Sequence, residues 1–267
     1  MIEDIAHLGI LDDGEIELDV AALEIAALDH PGVSLAEYRD TLGEIALDLL
    51  TGAAAATDAT SQARLLARVI GDAHRFQGDR ETYDDPANAD LISVIDRRRG
   101  MPVALSILYV GLGRRAGWAV HALNTPGHVL VSVTDEQTVL IDPFNGGVPI
   151  SAEQLAALLA GALGPNARPT AEHLAPMSNR AVLLRLLMNQ ATRAERAGDP
   201  ARALEVYRRI TTIAPAYAHG WWERARLELI ERNVASARAS LSAMLETTRD
   251  PALRTQVNAA LDALAGS

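Results

Sequence analysis

The segment from Met101-Pro102 to Gly117 constrains this chain most. Val103 to Ala116 is apolar on most faces of a helix, with Pro in its first turn and Gly just past its end, the usual asymmetry of helix entry and exit. Such a helix has little to offer water, so it is expected to be buried and central. The chain is 49% hydrophobic and 22% charged over 267 residues, enough for a packed core around it. Aromatics are only 4%, so Ala, Leu, Val and Ile have to build that core.

The flanking sequence changes period around this helix. Residues 15–76 read as helices: Ile16, Val20, Leu23, Ile25 and Leu28 recur at helical spacing and stop before Pro31-Gly32. Ser34 with Glu37 has the pattern of a capping box, and a third helix is expected from about Ser61 to Phe76. Residues 77–90 are rich in turn formers, and Asp90 to Arg98 reads as a short helix. After Gly117 come three strand-like runs, Ala119–Leu123, His128–Thr134 and Gln137–Ile141, the last two forming a hairpin. Ser151 caps a further helix, and Gly164 to Pro169 is the expected linker.

The last hundred residues are helical and repeat. Leu187 and Trp221, Ala203 and Ala237, Tyr207 and Leu241, and Ile210 and Met244 are each 34 residues apart. A 34-residue period with small Ala at helix crossings and Pro at the end of the unit resembles the tetratricopeptide repeat. Two units are expected, about 182–215 and 218–250, followed by a capping helix over 251–264.

Absences narrow the chemistry. No cysteine is present and all 24 basic residues are arginine. Disulfides, thiolate catalysis, Schiff bases and a P-loop lysine are therefore excluded. No His-x-x-x-His or similar spacing occurs among the seven histidines, so neither a metal nor another cofactor is expected. The net charge is −11, divided as −15 over residues 1–167 and +4 over the remainder. That balance argues against direct nucleic-acid binding. No apolar run reaches about 18 residues, so no membrane span is expected. The acidic Met1-Ile2-Glu3-Asp4 start lacks a signal peptide's positive flank. A cytoplasmic location is expected, and the oligomeric state is left open.

The polar pair that stands out is His128 with Asp142, at the edges of two hairpin strands. A carboxylate bonded to a His ring fixes its tautomer and orientation. Alternatively, the pair is structural. Ser106 is a weak candidate nucleophile, or a small residue that lets the helix pack. Arg98 and Arg99 of the Arg97-Arg98-Arg99 run are candidate anion contacts, or a solvated helix end. Asn145-Gly146-Gly147 is a candidate anion cradle or a tight turn. Trp222 is a candidate binding anchor or part of a helix–helix core.

These residues carry a resemblance. Gly100, Pro102, Ser106, Arg114 and Gly117 match the spacing of the nucleophile helix of the transglutaminase-like superfamily, with His128 and Asp142 in the register of its His and Asp. Asn88-x-x-Leu91-x-x-Val94, Arg98-Arg99-Gly100-x-Pro102, Pro126-Gly127-His128 and Asp142-Pro143-Phe144-Asn145-Gly146-Gly147 resemble more closely the SirB-type subfamily. Its members are described as transglutaminase-like plus tetratricopeptide regulators of sirC expression. With the repeats, the likeness covers roughly residues 30–250. It implies an α+β protein: a helical N-terminal segment (1–75), a papain/transglutaminase-like core with a small antiparallel sheet (76–165), and tetratricopeptide-like helices (170–267). It also implies that Pro102 stands where the family has its cysteine. The expected function is then a non-catalytic regulatory protein that holds a protein or peptide partner through its repeats. The alternative is an atypical hydrolase or acyl-transfer enzyme that uses His128 and Asp142 with water or Ser106.

Overall fold

The computed structural model describes residues 2–166, 168 and 170–265. The chain divides into two compact units, Asp13–Leu183 and Met1–Asp12 with Leu184–Ser267. The expected linker at 164–169 lies partly outside the described residues.

Among the described residues, the Asp13–Leu183 unit contains six complete α-helices and a small sheet. The helices are α1 (Leu18–Ala27), α2 (Leu35–Ala53), α3 (Ala59–Leu66), α4 (Leu91–Arg97), α5 (Pro102–Arg115) and α6 (Ala152–Leu163). Helix α5 is the buried centre: every residue from Pro102 to Gly113 is buried, and α1 and α2 pack against it. Pro102 opens it at a position where no intrahelical N–H is needed. Ser34 caps α2 through the Ala36 N–H, while the reciprocal capping boxes form at Asp58–Ser61 and Ser151–Gln154. The third helix thus starts earlier than expected. It continues as a widened π-helical stretch, Ala67–Ala73, which seats Gly71 against the Gly146 carbonyl, where a Cβ would lie 2.4 Å from the oxygen.

Two short strands, β1 (Gln77–Gly78) and β2 (Arg99–Gly100), pair in parallel. The main sheet holds β3 (Ala119–Ala122), β4 (Val131–Thr134), β5 (Thr138–Asp142) and β6 (Val148–Pro149), all antiparallel and in sequence order. The expected strand from His128 begins three residues late. A turn takes its place, with the His128 N–H donating to Thr125 and Gly127 at a positive φ of 70°. His128 therefore sits on a loop.

Helix α7 (Asn179–Arg196) is capped from afar. The Asp13 carboxylate accepts the N–H groups of Asn179 and Arg180, both at 2.9 Å. The Asn179 amide returns bonds to the carbonyls of Asp13 and Ile16. Arg114 donates to Asn179 at 2.8 Å and to the Val120 carbonyl at 3.0 Å. It thereby ties the end of α5 to β3 and to the start of α7, a structural role for a residue of the nucleophile-helix pattern.

The other unit contains α8 (Pro200–Ile213), α9 (Ala218–Ile230), α10 (Val234–Thr247) and α11 (Pro251–Ala265), each packed on the next. Ala203 and Ala237 have no exposed surface, as small residues at close helix contacts do. The 3-10 helix Ile2–Gly9 packs on α8 and buries Ile5 and Leu8. Among the described residues no helix is long and apolar enough to cross a membrane.

Candidate functional site

Asp142 ends β5 and caps a 3-10 turn, Pro143–Asn145. The Asp-Pro pair suits this place: the aspartate accepts the Phe144 N–H at 2.9 Å, and the proline has no N–H to satisfy. Asp142 also bonds His128 Nε2 at 2.8 Å and accepts from the Asn145 amide. Burial alone would raise its pKa, for it is only 2% exposed. The His128 bond and charge, the Asn145 amide and the Phe144 N–H outweigh that and hold it below the ordinary 3.8. The His128 ring, largely buried, meets the edge of Phe144 with centroids 5.9 Å apart.

Helix α5 supports this pair from beneath. Ser106 is completely buried and donates its hydroxyl to the carbonyl of Val129, the residue after His128, at 3.1 Å. That proton is committed to a backbone oxygen. Pro102, one turn earlier, is buried and has neither an N–H nor a reactive group. Tyr109 lies under the 142–147 loop, and burial pushes its hydroxyl pKa up, with the charges of Asp72 and Asp142 adding to the rise. Gly147 has a φ of 77°, and a Cβ there would lie 2.5 Å from the Tyr109 ring, so this position needs glycine twice over. The Gly146 and Gly147 N–H groups donate to the carbonyls of Pro143 and Asp142. They close the turn, the alternative to an anion cradle for these residues.

The three consecutive arginines go to three places. Arg97 bonds Asp79 at 2.6 Å and Asn88 at 3.3 Å. Arg98 ends α4 in the left-handed region, with its guanidinium 4.6 Å from the centre of the Phe76 ring. Arg99 meets Glu81 at 3.2 Å, largely in solvent. Asp79 is 1% exposed, and the Thr82 hydroxyl and N–H, followed by Asn88 and Arg97, lower its carboxyl to about 2. Asn88, with no exposed surface, bonds the Thr82 carbonyl and accepts the Met101 N–H. Asn88 and Arg97 thus fasten the 79–88 loop to the entrance of α5. Trp222 is half-buried and packs against the cluster of Ala225, Ala237, Leu241 and Met244.

Two recesses flank the His128–Asp142–Asn145 cluster. An apolar groove of about 530 Å³ runs between the 142–150 segment and α6, lined by Asp142, Asn145, Val148, Ile150 and Leu158 among others. A polar recess of about 400 Å³ is walled by Asp72, Arg80, Arg99, Phe144 and Asn145 among others. Asn145 and Val148 line both. Sequence reasoning missed Asp72 and Arg80. Their only signal was the position of Arg80 in the turn-rich stretch after Gly78. Among the described residues no three His, Asp or Glu side chains gather as metal ligands.

The sequence model of the transglutaminase-like superfamily matches residues 36–188, which take in α5, the main sheet, His128 and Asp142. The chain belongs to this superfamily. It is 30% identical over 254 residues to a UPF0162 protein of Xylella fastidiosa (strain 9a5c), covering 90% of this chain and 86% of that one. A UPF0162 protein of Vibrio cholerae is 36% identical over 126 residues, 45% of this chain and 46% of the relative. Among solved structures, menin superposes with a TM-score of 0.44 at 14% identity, over 91% of this chain and 69% of that one. That likeness is too loose to bear on fold or function. In this transglutaminase-like chain the matched region contains the whole His128–Asp142–Asn145 cluster and both recesses.

Proposed function

We propose that this protein is a non-catalytic transglutaminase-like protein of the SirB type, in which Pro102 occupies the nucleophile's place. It acts by holding a protein or peptide partner. One observation carries the reading. The His128–Asp142 pair is fully built, while the first turn of α5 supplies proline and the hydroxyl one turn on is bonded to Val129. A base with no nucleophile to activate leaves recognition as the use of the site. The helices α8 to α11, with Ala203 and Ala237 at their contacts and a 34-residue period, support a tetratricopeptide-like partner surface.

Two measurements test this. Turnover of fluorogenic amides and esters, and of amine incorporation, should not exceed that of His128→Ala; His128-dependent turnover would establish the hydrolase or acyl-transfer alternative. Pro102→Cys should give a thiol that iodoacetamide alkylates well below the ordinary pKa of about 8.5, and His128→Ala should remove that advantage. An ordinary thiol at position 102 would sink the assignment of Pro102 to the nucleophile's place.

A further inference from the structure

The polar recess beside the site holds two charges that the fold leaves without an opposite partner. Arg80 bonds the Asn145 amide oxygen, and its guanidinium lies 5.9 Å from the centre of the Phe144 ring. Both partners are neutral. Asp72 comes from the π-helical stretch 67–73 and lines the same recess. Among the described residues, neither Arg80 nor Asp72 has an oppositely charged group within 4.0 Å. The remaining two charges there, Arg99 and Glu81, pair with each other.

The recess is therefore neutral in sum and dipolar in detail. A simple anion would satisfy Arg80 and be repelled by Asp72, and a simple cation would do the reverse. A ligand with both signs on neighbouring atoms satisfies both. We propose that this recess binds a zwitterionic α-amino acid, its carboxylate on Arg80 and its ammonium on Asp72. The volume of about 400 Å³ is ample for such a ligand. Arg80 and Asp72 line the same recess without pairing with each other. Phe144 and Asn145 hold the Arg80 head in place before binding, which lowers the entropy cost of ordering it. Val148 and Asn145 are shared with the apolar groove, so an aliphatic side chain has a surface to cover. The inference stands apart from whether the site is catalytic, because neither Arg80 nor Asp72 belongs to the His128–Asp142 pair.

The test is calorimetric titration of the full chain with L-leucine, N-acetyl-L-leucine and L-leucinamide. Leucine should bind, and each blocked analogue should bind about 10- to 100-fold more weakly, the size of one lost charge-assisted hydrogen bond. Arg80→Gln should bind leucine no better than leucinamide. Asp72→Asn should bind it no better than N-acetylleucine. Both side chains are exposed, so the fold should survive each change. The proposal is overturned if leucine does not bind at about 10 mM, or if either blocked analogue binds as tightly as leucine. It is equally overturned if either substitution leaves the affinity for leucine unchanged.

Discussion

Asp142 and Glu228 are both carboxylates almost wholly removed from water, at 2% and 1% exposure, and they lie in different kinds of structure. Glu228 sits within α9, bonded to Arg224 one turn earlier at 3.0 Å and to Ser240 of α10 at 2.7 Å. Its partners lie on two packed helices. Asp142 sits at the end of a strand, with a ring, an amide and a backbone N–H around it, and lines an open groove. Burial of a charge is common to both, so burial alone marks no site. The difference is the surroundings: one cluster joins two helices, while the other borders two recesses on a loop.

The largest effect expected from this contrast is at Asp142. Asp142→Ala leaves three donors without their acceptor and should lower stability by about 3–5 kcal/mol in urea denaturation. Glu228→Ala should cost about 2–3 kcal/mol, since Arg224 keeps access to water. A greater loss at Glu228 than at Asp142 would break the comparison. Gly147→Ala, which forces a side chain into the left-handed region against Tyr109, should cost about 3 kcal/mol by the same measurement.

A pH titration sharpens the same point. The carboxyls of Asp142 and Asp79 are lowered in the fold, Asp79 to about 2. The unfolded chain then takes up protons first as pH falls. Their contribution is complete above the unfolded value of 3.8 and is lost as pH drops through the folded value. Denaturation midpoints between pH 6 and 2.5 should fall more steeply for the parent than for Asp79→Asn; equal slopes would show that the Thr82 bonds do not hold this loop. The smallest effect belongs to Tyr109→Phe. The Tyr109 hydroxyl is buried without a hydrogen-bond partner among the described residues, so its removal should change stability by no more than about 0.5 kcal/mol. A loss above about 1 kcal/mol would mean that the hydroxyl has a role in holding the 142–147 loop.

Much of this architecture was legible because it rests on local rules. The burial of α5 followed from its apolar faces, the hairpin from alternation, and the helical C-terminal third from periodicity. His128 and Asp142 stand out in the sequence at the edges of two strand runs, and the fold joins them by a 2.8 Å bond. Other features had no local signal. The consecutive Arg97, Arg98 and Arg99 look alike in sequence, yet one braces a loop, one covers a ring and one meets solvent. Gly146 and Gly147 allow an outward cradle and an inward turn equally, and only the Pro143 and Asp142 carbonyls decide between them.

By itself the sequence determined the central helix, the absence of any cysteine or lysine chemistry, and the candidacy of His128 with Asp142, because composition and period act within a few residues. Only the tertiary structure decided that Asp13 caps a helix 166 residues away, that Ser106 is bound to the segment carrying His128, and that Arg80 and Asp72 meet one recess. Those contacts join parts of the chain whose closeness is set by packing, which no local pattern encodes.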